Sequence, residues 1–206
     1  MARLGAHQSI TGGYYKAFER INSIGGNCLQ IFSGSPRGWN FVKINEKERE
    51  LFINHKSKFD IHPIYFHASY LINLADESRI GHLSKMSLIA EMNIASKLDI
   101  KGSIVHLGSF KHSNNFRHDR NQSCNYKTNK YIILIKNIKE ILGSTPKNTL
   151  LIIENSGNRK IGQSLEEISH IIKDIDDARV RLCLDTCHLF SNGYKFENKK
   201  ELEEFV

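Results

Sequence analysis

The sequence predicts an α/β fold, a barrel of parallel β/α units. Short apolar segments alternate with longer segments of helical periodicity along the 206 residues, as in parallel strands joined by right-handed helical crossovers. Several of the short segments also end in side chains that commonly bind metal ions. Because the active site of a parallel barrel is built at the carboxyl ends of its strands, the same pattern predicts where the chemistry lies.

Composition and charge are those of a globular protein with one substantial core. Hydrophobic residues make up 40% of the chain and charged residues 25%. The sequence has neither an apolar run long enough for a membrane span nor a signal peptide, so we expect a cytoplasmic protein with no membrane partner. Four cysteines without a C-x-x-C pair predict reduced thiols. The net charge of +7 favours a polyanionic partner, although lysine-rich compositions carry such an excess for other reasons.

The first elements are a strand over residues 4–7, a helix that two glycines end, and a strand over Cys28–Phe32. The predicted apolar face of this helix comprises Tyr14, Ala17, Phe18, Ile21 and Ile24. A loop over residues 33–39 then places the only tryptophan near Arg37, where a core would use neither side chain. We therefore expect this loop on the surface.

The middle of the chain predicts two strands that end in histidine. The third strand runs over residues 61–66 and ends at His67, and the fourth, over Gly102–Val105, ends at His106. Apolar residues four apart mark the core face of the helix between these strands: Met86, Ala90, Ile94 and Leu98. The polar stretch over residues 111–127 is longer than most connections, which fits either a substrate-facing loop or a disordered excursion.

The last two predicted strands end in carboxylates. The fifth strand, over residues 150–153, ends at Glu154, and the sixth ends at Asp185, with His188 in the loop that follows. Ser164 opens the helix between them with a capping box. In the helix before the fifth strand, the predicted buried positions are Tyr131, Leu134, Ile135, Ile138, Ile141 and Leu142. In the helix after that strand they are Leu165, Ile168, Ile172 and Ile175. In the sixth strand they are Val180, Leu182 and Leu184.

Four potential metal ligands therefore end predicted strands and converge on one mouth of the barrel. They are His67, His106, Glu154 and Asp185. Taken singly, a strand-end histidine is more often a structural residue, and a strand-end carboxylate often caps the next helix. Jointly they predict a metal site, and carboxylate and imidazole ligands suit zinc or manganese.

Five segments carry a resemblance to a known family. The most specific is Asp185-Thr186-Cys187-His188, continued by Gly193-Tyr194, and the others lie in residues 4–13, 30–39, 67–74 and 153–157. Together they resemble endonuclease IV, the zinc-dependent class of apurinic/apyrimidinic endonucleases of DNA base-excision repair, over nearly the whole chain. The resemblance implies a TIM-type barrel of the xylose isomerase-like superfamily, and double-stranded DNA containing abasic sites as the partner.

The resemblance also implies roles for individual residues. His67, His106 and Glu154 would hold one zinc ion, Glu154 would bridge to a second ion that Asp185 also binds, and His188 would be a ligand of a third. Glu154 and Asp185 would thereby be the catalytic residues. The implied reaction is hydrolysis on the 5′ side of an abasic site, which leaves a 3′-hydroxyl.

Three further residues match positions in the family's DNA-contacting loops: Arg37, Trp39 and Tyr70. The family's side chains at these positions enter the minor groove and help to expel the abasic nucleotide from the base stack. The alternative interpretation is a surface arginine and two half-buried aromatic rings.

Two departures from the family pattern bear on the expected activity. Leu107-Gly108 stands where the family usually has Pro-Gly. The family's barrel has eight strands and the chain predicts six, so we expect residues 1–206 to form a single partial barrel domain without strands seven and eight or the remaining zinc ligands. We expect such a fragment to have impaired activity, and the complete protein to be a monomer. Structural or surface roles are expected for His7, His55, His62, His82, His112, His118 and His170.

Two other functions stay open for the sequence. One is that of a single-metal sugar isomerase or epimerase of the same barrel superfamily, which would need neither the basic excess nor the loop around Arg37. The other is a non-catalytic remnant that binds DNA without cleaving it. Zinc stoichiometry and incision of an abasic duplex would separate these possibilities.

Overall fold

Six parallel strands form the framework of the molecule. The computed structural model describes residues 2–39, 41–110, 128–157, 159–196 and 198–205. Within them the strands are β1 (Gly5–His7), β2 (Cys28–Phe32), β3 (Ile64–His67), β4 (Gly102–Val105), β5 (Leu150–Glu154) and β6 (Val180–Cys183). They make one sheet in chain order, and every adjacent pair is parallel. The predicted barrel of parallel β/α units is confirmed, and the described residues supply six consecutive units of it.

A helix follows each strand, and polar caps explain where most of the helices begin. The helices are α1 (Tyr14–Ser23), α2 (Glu46–Phe59), α3 (Arg79–Lys97), α4 (Asn129–Gly143), α5 (Leu165–Ile175), α6 (Thr186–Ser191) and α7 (Lys199–Phe205). Asn45, Ser78, Thr128 and Ser164 accept hydrogen bonds from backbone amides in the first turns of α2 to α5. The cap predicted at Ser164 is thereby confirmed.

Helix α2 is the longest element that the sequence patterns did not predict; α6 and α7 are the others. Phe52 is its one buried residue, so the helix has almost no apolar stripe. Its start does carry a signal. Asn45 accepts a hydrogen bond from the amide of Glu48, and the Glu48 carboxylate accepts one from the amide of Asn45. This capping box, and not hydrophobic periodicity, identifies the helix.

The core lies between the sheet and the helices, in two clusters. One cluster packs α1 and α2 against β2 and β3, around Phe18, Phe52 and Phe66. The other packs α3, α4 and α5 against β4 and β5. Apolar packing thus fixes the strands on this face of the sheet and leaves their carboxyl ends for polar side chains.

The buried face of α3 agrees with the predicted one only in part. Ile94 and Leu98 are buried as predicted, but Met86 is 41% exposed. A spacing of four residues turns about 40° further round a helix at each step, so Met86 and Leu98 lie on different sides. The buried positions instead alternate spacings of three and four and include the carboxylate of Glu91.

Three further residues predicted to be buried are exposed: Ile24, Leu182 and Leu184. Ile24 lies beyond the last residue of α1. The two leucines belong to β6 and the residues after it, at the edge of the described sheet. Leu165 and Ile172 are half-buried, because they lie at the margins of the buried face of α5.

Other sequence predictions concern membranes, thiols and the long polar connection. No helix within the described ranges is both long and apolar enough to cross a bilayer. Cys28, Cys183 and Cys187 are free thiols, as predicted. The polar stretch over residues 111–127, with His112 and His118, lies outside the described residues.

Candidate metal centre

The predicted ligands meet at the carboxyl ends of neighbouring strands. Glu154 ends β5 and belongs to two groups of potential ligand atoms. The first group contains His67 and His106, and the second contains Asp185 and His188. Within each group all the ligand atoms lie within 4.8 Å of one another. The fold therefore brings together all five residues that the sequence predicts as metal ligands, with one carboxylate common to both groups.

Hydrogen bonds orient the first group. The Nε2 atoms of His67 and His106 lie 3.1 and 3.5 Å from Glu154 Oε2. His67 Nδ1 lies 2.8 Å from the carbonyl oxygen of Ala68, to which it donates a hydrogen bond. Nε2 is then the atom that faces the carboxylate. A histidine held in this way presents one defined nitrogen to a metal ion. Ser156 Oγ lies 3.0 Å from His106 Nδ1 and orients that ring similarly.

The second group is built on the first turn of α6. Asp185 caps this helix, and its Oδ1 accepts a hydrogen bond of 2.9 Å from the amide of His188. His188 therefore lies in a helix, which corrects its predicted place in a loop. Its Nδ1 donates to the carbonyl oxygen of Asn155 at 3.0 Å and lies 3.6 Å from Asp185 Oδ2. Asp185 thus caps a helix and also faces the ligand group.

Asn155 joins the two strand ends that carry the carboxylates. Its Oδ1 accepts a hydrogen bond of 2.6 Å from the amide of Asp185, and its Nδ2 donates one of 3.0 Å to the carbonyl oxygen of the same residue. The side chain is 1% exposed. Asn155 lies in the resembling segment over residues 153–157, but the sequence predicts no role for it because its hydrogen-bond partner is 30 residues away.

Burial and the shared carboxylate act differently on the two histidines of the first group. Burial lowers the pKa of His67, but its hydrogen bonds to Glu154 and Ala68 outweigh that effect, and the net pKa is raised. Burial dominates at His106, whose pKa is lowered. His67 therefore keeps its proton to a higher pH than His106 does. A divalent ion bound here would compete with that proton.

Cys183 lies beside the carboxylates and does not extend the ligand set. Burial, together with the nearby charges of Glu154 and Asp185, raises the pKa of its thiol to about 11. Cys183 is in neither of the two groups of potential ligand atoms. The donor atoms of the two groups are imidazole nitrogen and carboxylate oxygen, a set that fits zinc.

The loop over residues 33–39 lies against the loop that follows β3. The carbonyl oxygen of Pro36 accepts hydrogen bonds from the amide of Tyr70 at 2.9 Å and from Ser69 Oγ at 3.0 Å. Tyr70 is 62% exposed, and its ring centroid lies 5.9 Å from that of His67. Arg37 is exposed, whereas Trp39 is partly buried and packs against the core. The structure thus places Tyr70 beside the ligand group, with Arg37 on the adjoining loop.

His7 is a residue of the site region that sequence reasoning set aside. It ends β1, as His67 ends β3, so its strand-end position was the signal that could have found it. Its ring centroid lies 4.4 Å from that of Phe32 and 6.3 Å from that of His67, and Gln30 Nε2 lies 2.9 Å from its Nδ1.

Comparison with known proteins decides the family. The model of the xylose isomerase-like TIM barrel matches residues 18–205. The probable endonuclease 4 of Halothermothrix orenii is 34% identical over 99% of this chain and 70% of its own length. The chain belongs to the endonuclease IV family. The probable endonuclease 4 of Thermosipho africanus agrees, at 34% identity over 100% of this chain and 71% of its own.

Solved structures extend the likeness to the endonuclease IV fold itself. The crystal structure of endonuclease IV from Thermus thermophilus superposes with a TM-score of 0.75 at 28% identity, covering 94% of this chain and 66% of its own length. A D-psicose 3-epimerase superposes with a TM-score of 0.71 at 16% identity, which shows a common fold alone. The chain therefore spans about two thirds of the length of that endonuclease IV.

Proposed function

We propose that this member of the endonuclease IV family is a zinc-dependent DNA-repair endonuclease. It hydrolyses the phosphodiester on the 5′ side of an abasic site and leaves a 3′-hydroxyl. The observation that carries the proposal is the sharing of Glu154 between two ligand groups. A carboxylate common to two groups suits a centre in which adjacent cations face one phosphate. We place its work in the cytoplasm, on the chromosome, and propose that it acts as a monomer.

The ligand residues would divide among three zinc ions. His67, His106 and Glu154 would hold one ion, Glu154 and Asp185 would contribute to a second, and His188 would contribute to a third. Zinc held there would polarise the phosphate and lower the pKa of nearby water. The chain's own groups set this up. Ala68 and Ser156 fix the two imidazole rings, and Asn155 fixes Asp185 relative to Glu154.

The residues at the rim recognise the DNA. Arg37 is an exposed cation that contacts the phosphate backbone or the minor groove. Tyr70 offers an exposed aromatic face beside the ligand group, where it stacks on the bases next to the abasic site. Trp39, half-buried against the core, supports the loop that carries Arg37. The net charge of +7 adds a general attraction for DNA.

Incision of a duplex with one abasic site tests the proposal. The duplex carries a 5′ label, and the reaction is run with zinc and, in parallel, with a chelator. We expect one zinc-dependent product that a polymerase extends, which reports its 3′-hydroxyl. Glu154→Gln should abolish the product, and Lys136→Gln, a surface change on α4, should leave it. Binding without cleavage would support the DNA-binding remnant instead, and epimerisation of a ketose would support the sugar epimerase.

A further inference from the structure

Glu91 is a buried carboxylate that the metal centre does not use. It lies on α3 and is 2% exposed. A buried carboxyl group is costly unless hydrogen bonds satisfy it. An apolar side chain would fill the same space without that cost, so the contacts of the carboxylate indicate its purpose.

Two serines from different parts of the fold donate to the two oxygens of Glu91. Ser33 Oγ donates to Oε2 and Ser103 Oγ donates to Oε1. Ser103 lies within β4, three residues before His106, and Ser33 follows the last residue of β2. Both serines are buried. One carboxylate therefore connects α3, the strand that leads to a metal ligand, and the first residue of the loop over residues 33–39.

The same loop has two further attachments. The hydroxyl of Tyr14, on α1, donates to the carbonyl oxygen of Ser33. Further along, the carbonyl oxygen of Pro36 accepts from Ser69 and Tyr70. The side-chain hydroxyl and the carbonyl oxygen of Ser33 are thus both bonded to neighbours, and the exposed Arg37 lies just beyond the attachment at Pro36.

We propose that Glu91 is a positioning residue that holds the first residue of the loop over residues 33–39 against α3. Through its hydrogen bond with Ser33 it fixes where Arg37 and Trp39 stand relative to α3. The effect on DNA recognition rests on the proposed function, but the holding of the loop does not. The carboxylate suits this role because it accepts from two donors at once, which an apolar residue cannot do.

Amide hydrogen exchange over residues 33–39 tests the proposal on the whole zinc-loaded chain. We expect Ser33→Ala to raise exchange in this segment about tenfold, since a hydrogen bond to a carboxylate contributes on that order to closure. Ser103→Ala is the matched control, because it removes a bond from the same carboxylate without touching the loop. Equal exchange in the two variants, or none above wild type in Ser33→Ala, would overturn the proposal.

Trp39 gives a second readout, since it is the only tryptophan and lies in the loop. Acrylamide should quench the fluorescence of Trp39 more strongly in Ser33→Ala and in Glu91→Leu than in Ser103→Ala. Glu91→Gln keeps one acceptor and gains a donor, so it should restore most of the protection. Met92→Ala creates a cavity beside Glu91 and lowers the stability of the fold without removing the hydrogen bonds of Glu91, so it is the control for destabilisation alone. Quenching that follows stability across the five variants would mean that Glu91 has only a structural role.

The consequence for DNA is measured separately. Ser33→Ala should lower kcat/KM for incision of abasic duplex, mainly by raising KM, relative to the affinity for intact duplex. Ser103→Ala should leave this ratio unchanged. If the wild-type chain incised no abasic duplex, the proposed function would fail, and hydrogen exchange would still decide the role of Glu91. If the loop loosened and the ratio of abasic-site incision to intact-duplex affinity stayed the same, the loop would have no part in recognising the abasic site.

Discussion

Glu154 is the single residue on which both ligand groups depend. Glu154→Gln keeps the shape of the side chain and removes the charge of the shared ligand. Loss of a residue that only hydrogen-bonds to a ligand lowers metal affinity roughly 10- to 100-fold, and we expect a larger loss of zinc affinity here. Asp185→Asn should weaken only the second group. Zinc titration by calorimetry distinguishes the two variants. An equal loss of the tightest site in both would contradict the sharing of Glu154.

Asn155 is expected to matter through the residue it positions. Asn155→Ala removes both hydrogen bonds to the backbone of Asp185 and should lower zinc affinity at the second group by about 10- to 100-fold. Asn192→Ala is the matched control, since Asn192 donates to the neighbouring carbonyl oxygen of Ser156 at 2.7 Å and does not contact Asp185. Similar zinc affinities in the two variants would show that Asn155 does not position the ligand.

At the scale of residues, the sequence was informative where identity and position coincide. His67, His106, Glu154 and Asp185 could be predicted because each combines a ligand-type side chain with the end of a strand. Asn155 and Glu91 could not be predicted, because their partners are distant in the chain and only the fold brings them together. His7 had the positional signal and lies in the resembling segment over residues 4–13, but the resemblance assigned it no role.

At the scale of elements, Arg179 joins the end of α4 to the start of β6. Its guanidinium donates to the carbonyl oxygens of Leu142, Thr145 and Pro146 and to Asp177. The side chain is 9% exposed. Arg179→Met should lower the free energy of unfolding by about 2 kcal/mol, because it removes the donors to the buried carbonyl oxygens of Leu142 and Thr145. Arg181→Met, at an exposed position nearby, should change it little. Denaturant unfolding measures both, and equal values would refute the inference.

The same contact gives the stability a pH dependence at acid pH. Hydrogen bonds from the Arg179 side chain and amide hold the pKa of Asp177 below its ordinary value of 3.8. A lowered folded-state pKa stabilises the fold above the unfolded value, and this contribution is lost as the pH falls through the lowered pKa. The difference in unfolding free energy between wild type and Asp177→Asn should therefore shrink as the pH is lowered below 3.8. A constant difference would argue against the ion pair.

Strands were predicted better than helices because each strand is bounded by a change from apolar to polar residues. The predicted second and fourth strands have the observed bounds, and the third and fifth end within one residue of them. Helix α2 has no stripe, so periodicity could not reveal it. The face of α3 was misplaced because a strict spacing of four drifts round a helix.

At the scale of the whole molecule, charge and shape contribute differently to DNA binding. Contacts between the basic surface and phosphates make binding weaken steeply with salt, whereas Arg37 and Tyr70 should select abasic over intact duplex. Replacing both residues by alanine should remove the preference and keep most of the salt-sensitive binding. Fluorescence anisotropy with both duplexes at several salt concentrations measures this. An unchanged preference in correctly folded protein would exclude the loops from recognition.

Anomalous X-ray scattering at the zinc absorption edge, from crystals of the zinc-loaded chain, tests the central claim most directly. We predict a zinc peak about 2.0–2.2 Å from His67 Nε2, His106 Nε2 and a Glu154 oxygen. The peak should be lost in crystals of Glu154→Gln. Zinc bound only at other residues, or a peak on both histidines that persists in Glu154→Gln, would contradict a metal centre organised around this carboxylate.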